Sequence, residues 1–153
     1  MAQPHTPPPT ARSTRQRDAI RQAIGAAGRP LSPPEVLALA RSSVPALSLA
    51  TVYRNLKLLH DAEQIKVVSL PGETARYEPA GHAHHHHFKC TRCERVFDVH
   101  RCPGDLRQLA PRGFVVEHHE ITLYGRCASC WAARPGQPAH PVRAQRIDGR
   151  GRA

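Results

Sequence analysis

The sequence predicts an α+β chain of two small domains, the first mostly helical and the second held together around metal, and three observations carry that expectation. At 153 residues and 16.9 kDa, the chain fits one ordinary domain or two small ones, each marginal on apolar burial alone. Twenty-two Lys and Arg against twelve Asp and Glu give a formal charge of +10, which calls for a polyanionic partner, nucleic acid first. Four of the five cysteines stand in two Cys-x-x-Cys pairs, and no apolar leader is read ahead of them. That usage points to thiolate metal ligands in a reducing, cytoplasmic setting rather than to a disulfide framework. No run approaches the roughly 20 apolar residues of a membrane span, so a membrane partner is not expected.

Residues 1–11 hold four prolines without hydrophobic period, and residues 131–153 are rich in Pro, Gly and Arg; both read as disordered tails, the second basic. Residues 12–78 make the first domain. Ser13 or Thr14 is expected to cap a helix whose apolar stripe is Ala19, Ile20, Ala23, Ile24 and Ala27, with Gly28 and Pro30 as the stop. Ser32-Pro33-Pro34-Glu35 is a capping box with proline in the first turn, opening a second helix through Val36, Leu37, Leu39 and Ala40. Ser48 caps a third, in which Val52, Leu56 and Leu59 recur at i, i+4 and i+7 and face the core. Two β-compatible runs, 64–70 and 74–77, flank the hairpin signal Pro71-Gly72. Three helices and a hairpin follow the order of a winged helix.

The other face of the third helix presents Ala50, Tyr53, Arg54 and Lys57 at helical spacing, with Thr51 beside them. A small residue, an aromatic and two cations suit a recognition helix in a major groove. Exposed Lys and Arg on a small helix are ordinarily no more than a solvated face. Here the surroundings favour DNA, because residues 1–60 carry eight Lys or Arg against only Asp18 and Glu35. Arg12, Arg15 and Arg17 are expected to grip phosphate or reach a minor groove, two roles that sequence does not separate.

A compositional break at residues 79–81 marks a hinge, and residues 82–130 form the second domain. Cys90-x-x-Cys93 and Cys127-x-x-Cys130 supply four thiolates, enough to close a tetrahedral structural Zn(II) site with no open position. The 33 residues between the pairs exceed the interval of a zinc ribbon, so a small folded unit is expected inside the loop. Cys102 has no partner at ligand spacing and reads as an ordinary thiol. His84-His85-His86-His87 leads into Phe88 on an expected strand, where alternate side chains leave from opposite faces. His84 and His86 then feed one site, His85 and His87 another, each completed from among Glu78, Asp98, Asp105, His118 and His119. A His tract can also be adventitious; the neighbouring carboxylates favour exchangeable divalent metal.

Three motifs together, Leu49-Ala50-Thr51-Val52-Tyr53-Arg54-Asn55-Leu56, His84-His85-His86-His87-Phe88-Lys89-Cys90-Thr91-Arg92-Cys93 and Leu123-Tyr124-Gly125-Arg126-Cys127-Ala128-Ser129-Cys130, resemble the ferric uptake regulator family of metal-responsive transcription factors. The resemblance covers about residues 12–130. It implies an N-terminal winged-helix DNA-binding domain and a C-terminal α/β domain that dimerises. It also implies structural zinc on Cys90, Cys93, Cys127 and Cys130, a sensing site on Glu78, His85, His87 and Asp98, and a second site on His84, His86, Asp105 and His119.

Two departures from the family pattern bear on the regulatory metal. Arg29-Pro30-Leu31 stands where members that sense iron, manganese or peroxide often supply a histidine, and His86 stands where iron-responsive members commonly have Asp. The zinc-responsive branch often uses a Cys near Glu78 and an Asp near Asp61; only the Asp is present. Zn(II) is therefore expected ahead of Fe(II) or Mn(II) as the regulatory ion. The function implied is a homodimeric repressor on a pseudo-palindromic DNA operator. A zinc hydrolase or deaminase, suggested by His118-His119-Glu120 ahead of Cys127, fits poorly because no Pro precedes Cys127 and the knuckle would fill the open zinc position. A zinc-knuckle RNA binder is weakened by 5% aromatic content, which leaves few stacking platforms. No enzymatic activity is expected.

Overall fold

The computed structural model describes residues 11–133, so the expected tails lie outside the described residues apart from Ala11 and residues 131–133. The chain falls into two units, the first closing at Ala80 and the second resuming at Gly81. Among the described residues, no helix is long and apolar enough to cross a membrane.

The N-terminal unit is a winged helix built of α1 (Ala11–Ala27), α2 (Pro33–Ala40), α3 (Leu49–Asp61), β1 (Ile65–Val68) and β2 (Arg76–Pro79). Ser13 and Thr14 lie inside α1 rather than capping it, because the Ala, Arg and Gln around them are strong helix formers that carry the helix through. α1 ends where Gly28 takes a φ of 61°, the left-handed conformation that stops helices. At the start of α2, the Glu35 carboxylate accepts from the Ser32 backbone N–H and from its hydroxyl, both at 2.9 Å. The same carboxylate oxygen accepts from the buried Arg76 guanidinium at 2.8 Å, tying α2 to the wing. Ser48 caps α3 by accepting from the Thr51 N–H at 3.2 Å. Ile20 and Ile24, Val36, and Val52, Leu56 and Leu59 bring the apolar stripes of the three helices into one core with Leu31, Leu47 and Ile65. β1 and β2 pair antiparallel, with Lys66 opposite Glu78; β2 starts later than the run at 74–77 suggested.

The C-terminal unit is a three-stranded sheet in which β3 (His86–Cys90) lies between β4 (Val96–Val99), antiparallel, and β5 (Thr122–Gly125), parallel. A short helix, α4 (Ala128–Ala132), follows. Gly125 lets β5 close on β3, since a Cβ there would stand 3.1 Å from the Phe88 ring. A parallel neighbour needs a crossover, and the crossing segment carries the Pro103-Gly104 turn and His119 back toward the His tract.

Candidate functional site

The four-cysteine group gathers two knuckles at one end of the sheet. Cys90 ends β3, Cys93 follows in the turn where Glu94 takes a φ of 58°, and Cys127 and Cys130 flank the start and middle of α4. All four sulfurs lie within 4.8 Å of one another, and Cys93 and Cys127 Sγ are 3.9 Å apart. Tetrahedral zinc with Zn–S bonds of about 2.3 Å sets S···S edges of ~3.8 Å. The donor set therefore fits Zn(II). Burial raises the Cys90 thiol, but backbone N–H groups of Cys127, Cys93 and Arg92 outweigh it and bring it down to about 6. Burial and the three surrounding thiols push Cys130 up to about 12. Four thiols this close cannot all ionise unless a cation compensates them, which is what a divalent metal supplies.

Alternation along the His tract separates two further groups. His84 and His86 share one side, with ring centroids 4.5 Å apart, and His119 joins them at 4.8 Å from His84 and 5.1 Å from His86. Cys102 completes this group, its Sγ 3.2 Å from His119 Nε2, while Asp105 is not a member. Gly104, at φ 88°, turns the chain between the two residues. The Asp105 carboxylate is instead taken by its neighbour Arg107, which donates from its guanidinium at 2.7–2.8 Å and from its backbone N–H at 2.9 Å. These bonds hold the Asp105 carboxyl below the usual carboxylate range. His86 is buried, and burial first, then the imidazoles of His84 and His119, pushes its pKa down, keeping the ring in the neutral form that binds metal.

On the other side, His82, His85 and Asp98 gather, with His85 Nε2 3.9 Å from Asp98 Oδ1 and both side chains buried. His85 Nδ1 sits 2.8 Å from the Ala83 carbonyl, a bond that fixes the ring's orientation and leaves Nε2 facing Asp98. His87 stands opposite Asp98 in the β3–β4 register, its ring 5.0 Å from that of His85, but the compact group takes His82. Regular strand begins only at His86, and the chain bends at His84, so period-2 alternation does not reach back to His82. Glu78, in the N-terminal unit, is buried on β2 with Lys66 Nζ 3.1 Å from its Oε1.

On α3, Tyr53, Arg54, Lys57 and Ala50 are exposed while Val52, Asn55, Leu56 and Leu59 are buried, so one helix carries a core face and an open face. Thr51 is half-buried beside the cap, and Lys57 pairs with Asp61 at 2.9 Å. Arg12 and Arg15 are exposed on α1 and Arg17 is half-buried.

The ferric uptake regulator family model matches residues 10–124. The chain belongs to the ferric uptake regulator family. It is 30% identical over 122 residues to the peroxide-responsive repressor PerR of Staphylococcus saprophyticus, covering 78% of this chain and 82% of the relative. It is likewise 30% identical over 123 residues to the ferric uptake regulation protein of Campylobacter jejuni, covering 76% and 78%. Among solved structures, the ferric uptake regulator of Helicobacter pylori superimposes with a TM-score of 0.61 at 25% identity, over 77% of this chain and 81% of that one. The structure of that protein is described as revealing three functional metal binding sites.

Among the described residues of this family member, three donor groups form, and two differ in one ligand from the sets that the family resemblance implies. Cys102 and His82 are the residues that sequence reasoning passed over. No spacing rule marks Cys102, since the turn after β4 and the return toward β5 bring it to His119 from 17 residues away. His82 had a weak signal, a histidine beside Gly81, whose φ of 84° redirects the chain.

Proposed function

We propose that this family member is a homodimeric, zinc-responsive repressor whose two recognition helices address a pseudo-palindromic operator in double-stranded DNA. Ala50, Thr51, Tyr53, Arg54 and Lys57 meet the major groove, and Arg12, Arg15 and Arg17 contact the backbone or the minor groove. Cys90, Cys93, Cys127 and Cys130 hold structural zinc, whose charge lets their thiolates coexist. His85 and Asp98 hold the sensing ion with His82 or His87, and Glu78 adds the carboxylate that the family resemblance assigns to it. The reading is carried by one observation: the buried pair His85 and Asp98, 3.9 Å apart, accompanies an open recognition face in the same chain. Imidazole with carboxylate suits an exchangeable divalent ion, and Zn(II) accepts that set in tetrahedral geometry.

The test is duplex binding, on sequences selected from a random library, across Zn(II), Mn(II) and Fe(II) at buffered free concentrations. Zn(II) is expected to tighten DNA most, and DNA to tighten Zn(II) by the same factor, because coupling between sites is reciprocal. Absence of mutual dependence with every ion rejects the reading. A second reading, iron-dependent and peroxide-sensitive, draws on the 30% identical peroxide-responsive relative; Fe(II) as the strongest activator without oxygen, lost on peroxide addition, selects it.

A further inference from the structure

The group formed by His84, His86, Cys102 and His119 has a donor chemistry unlike either neighbour. Its potential ligand atoms lie within 4.8 Å of one another. His119 Nε2 is 3.3 Å from His84 Nε2 and 3.2 Å from Cys102 Sγ. An imidazole nitrogen carries either one proton or one in-plane lone pair, so it cannot satisfy two such neighbours by hydrogen bonding. Three donor atoms converging at these separations match the edges of a tetrahedron, ~3.3 Å for two nitrogens bound at about 2.05 Å. His86 adds an independent sign: the residue is 2% exposed, and its Nε2 is buried with no hydrogen-bond partner among the described residues. A buried polar atom left without a partner is costly. The Ile121 N–H faces His86 Nδ1 at 3.3 Å, a long contact that gives way when the proton moves to Nδ1 and Nε2 offers its lone pair to a metal. The Gly104 N–H donates to Cys102 Sγ at 3.4 Å, which orients the sulfur. His84 and Cys102 are exposed, so the group is open to exchange with solvent.

We propose that Cys102 is the fourth ligand of a three-imidazole, one-thiolate metal site with His84, His86 and His119, and that its sulfur makes this site select thiophilic ions, Zn(II) and Co(II), over Mn(II). Thiolate favours borderline and soft ions, whereas a carboxylate in its place accepts Mn(II) readily. On binding, the Cys102 thiol gives up its proton to solvent and the sulfur lone pair goes to the metal. The site differs from the set implied by the family motifs, which places Asp105 here. It does not depend on which ion controls DNA binding, or on whether DNA is bound at all.

Co(II) titration of the full chain, carrying one zinc per chain at the four-cysteine centre, tests the proposal. Retained zinc is measured in the same samples. Bound cobalt is expected to show sulfur-to-cobalt charge-transfer absorption, and cobalt-edge X-ray absorption of the unmutated protein one sulfur and three nitrogen neighbours. Cys102→Ser should abolish the absorption and weaken Co(II) and Zn(II) by more than about 10-fold, the lower end of what losing even an outer-shell partner costs, with Mn(II) little changed. Asp105→Asn should change neither. The same pattern in a His85→Ala background separates this result from the sensing reading. A cobalt shell of nitrogen and oxygen only, absorption that persists in Cys102→Ser with zinc retained, or no cobalt bound, overturns the proposal.

Discussion

The two units are stabilised by different means. In the N-terminal unit, Ile20, Ile24, Leu31, Val36, Leu47, Val52, Leu56 and Leu59 are all essentially inaccessible to solvent. Each such side chain contributes roughly 1.5–3 kcal/mol relative to leaving it exposed. The C-terminal unit buries Val96 with Cys90, Cys130 and His86, while Leu109, Phe114, Val115 and Trp131 are 72–84% exposed. Apolar burial holds the first unit, whereas among the described residues the second fully buries one large apolar side chain, Val96. A unit whose buried residues are largely potential metal donors is expected to depend on a bound ion for its stability.

The most severe way to break this contrast is to remove the zinc. Small zinc domains draw an apparent 10–16 kcal/mol or so from the metal, so Cys90→Ser or chelation should unfold the C-terminal unit. Hydrogen exchange read by mass spectrometry should then show β3, β4 and β5 unprotected, with α1, α2 and α3 still protected. A sheet that stays protected after zinc has left would refute the contrast. The converse change is Glu35→Ala, which removes the carboxylate now 2.8 Å from the buried Arg76 guanidinium. Removing one member of a buried ion pair costs about 3 kcal/mol or more, and thermal melting should show that loss without any change in zinc content.

How far each unit could be read from sequence follows the same division. The winged helix was legible because its signals are local: Glu35 meets Ser32 three residues back, Ser48 meets Thr51, and the core stripe of α3 runs at helical period. The four-cysteine centre was legible because each knuckle is local and only their pairing is distant. The open metal groups were legible in part. Strand alternation explains why His84 and His86 part from His85, but the ligands that complete each group depend on closure of the fold. Gly104 places Cys102 and Asp105 on different courses, and Arg107, two residues on, already occupies the carboxylate. Sequence spacing contains neither fact.

The exposed apolar side chains of the C-terminal unit give a third, intermediate effect. In a homodimer, a second copy would cover part of this surface. Phe114→Asp is expected to weaken self-association by about 2 kcal/mol, roughly 30-fold in dissociation constant, as for a central interface aromatic. Sedimentation across a dilution series measures it. Unchanged association with intact zinc content would place the interface elsewhere on the unit.

The smallest effects are expected on the open face of α3, because changing an exposed side chain there leaves the apolar core untouched. Arg54 is exposed and makes no hydrogen bond or ion pair among the described residues, so its guanidinium is available to a base edge. Arg54→Ala should cost about 1–3 kcal/mol in binding to selected DNA and relax specificity at one position. Lys57 is held by Asp61 at 2.9 Å and must leave that pair to reach a phosphate, which offsets part of what it gains. Lys57→Ala should therefore weaken all duplexes alike and by less, lowering the slope of log affinity against log salt by about 1. Fluorescence anisotropy over a salt series distinguishes the two residues. A larger loss from Lys57→Ala, confined to selected sequences, would reverse their roles and make the Lys57 ammonium the group that reads bases.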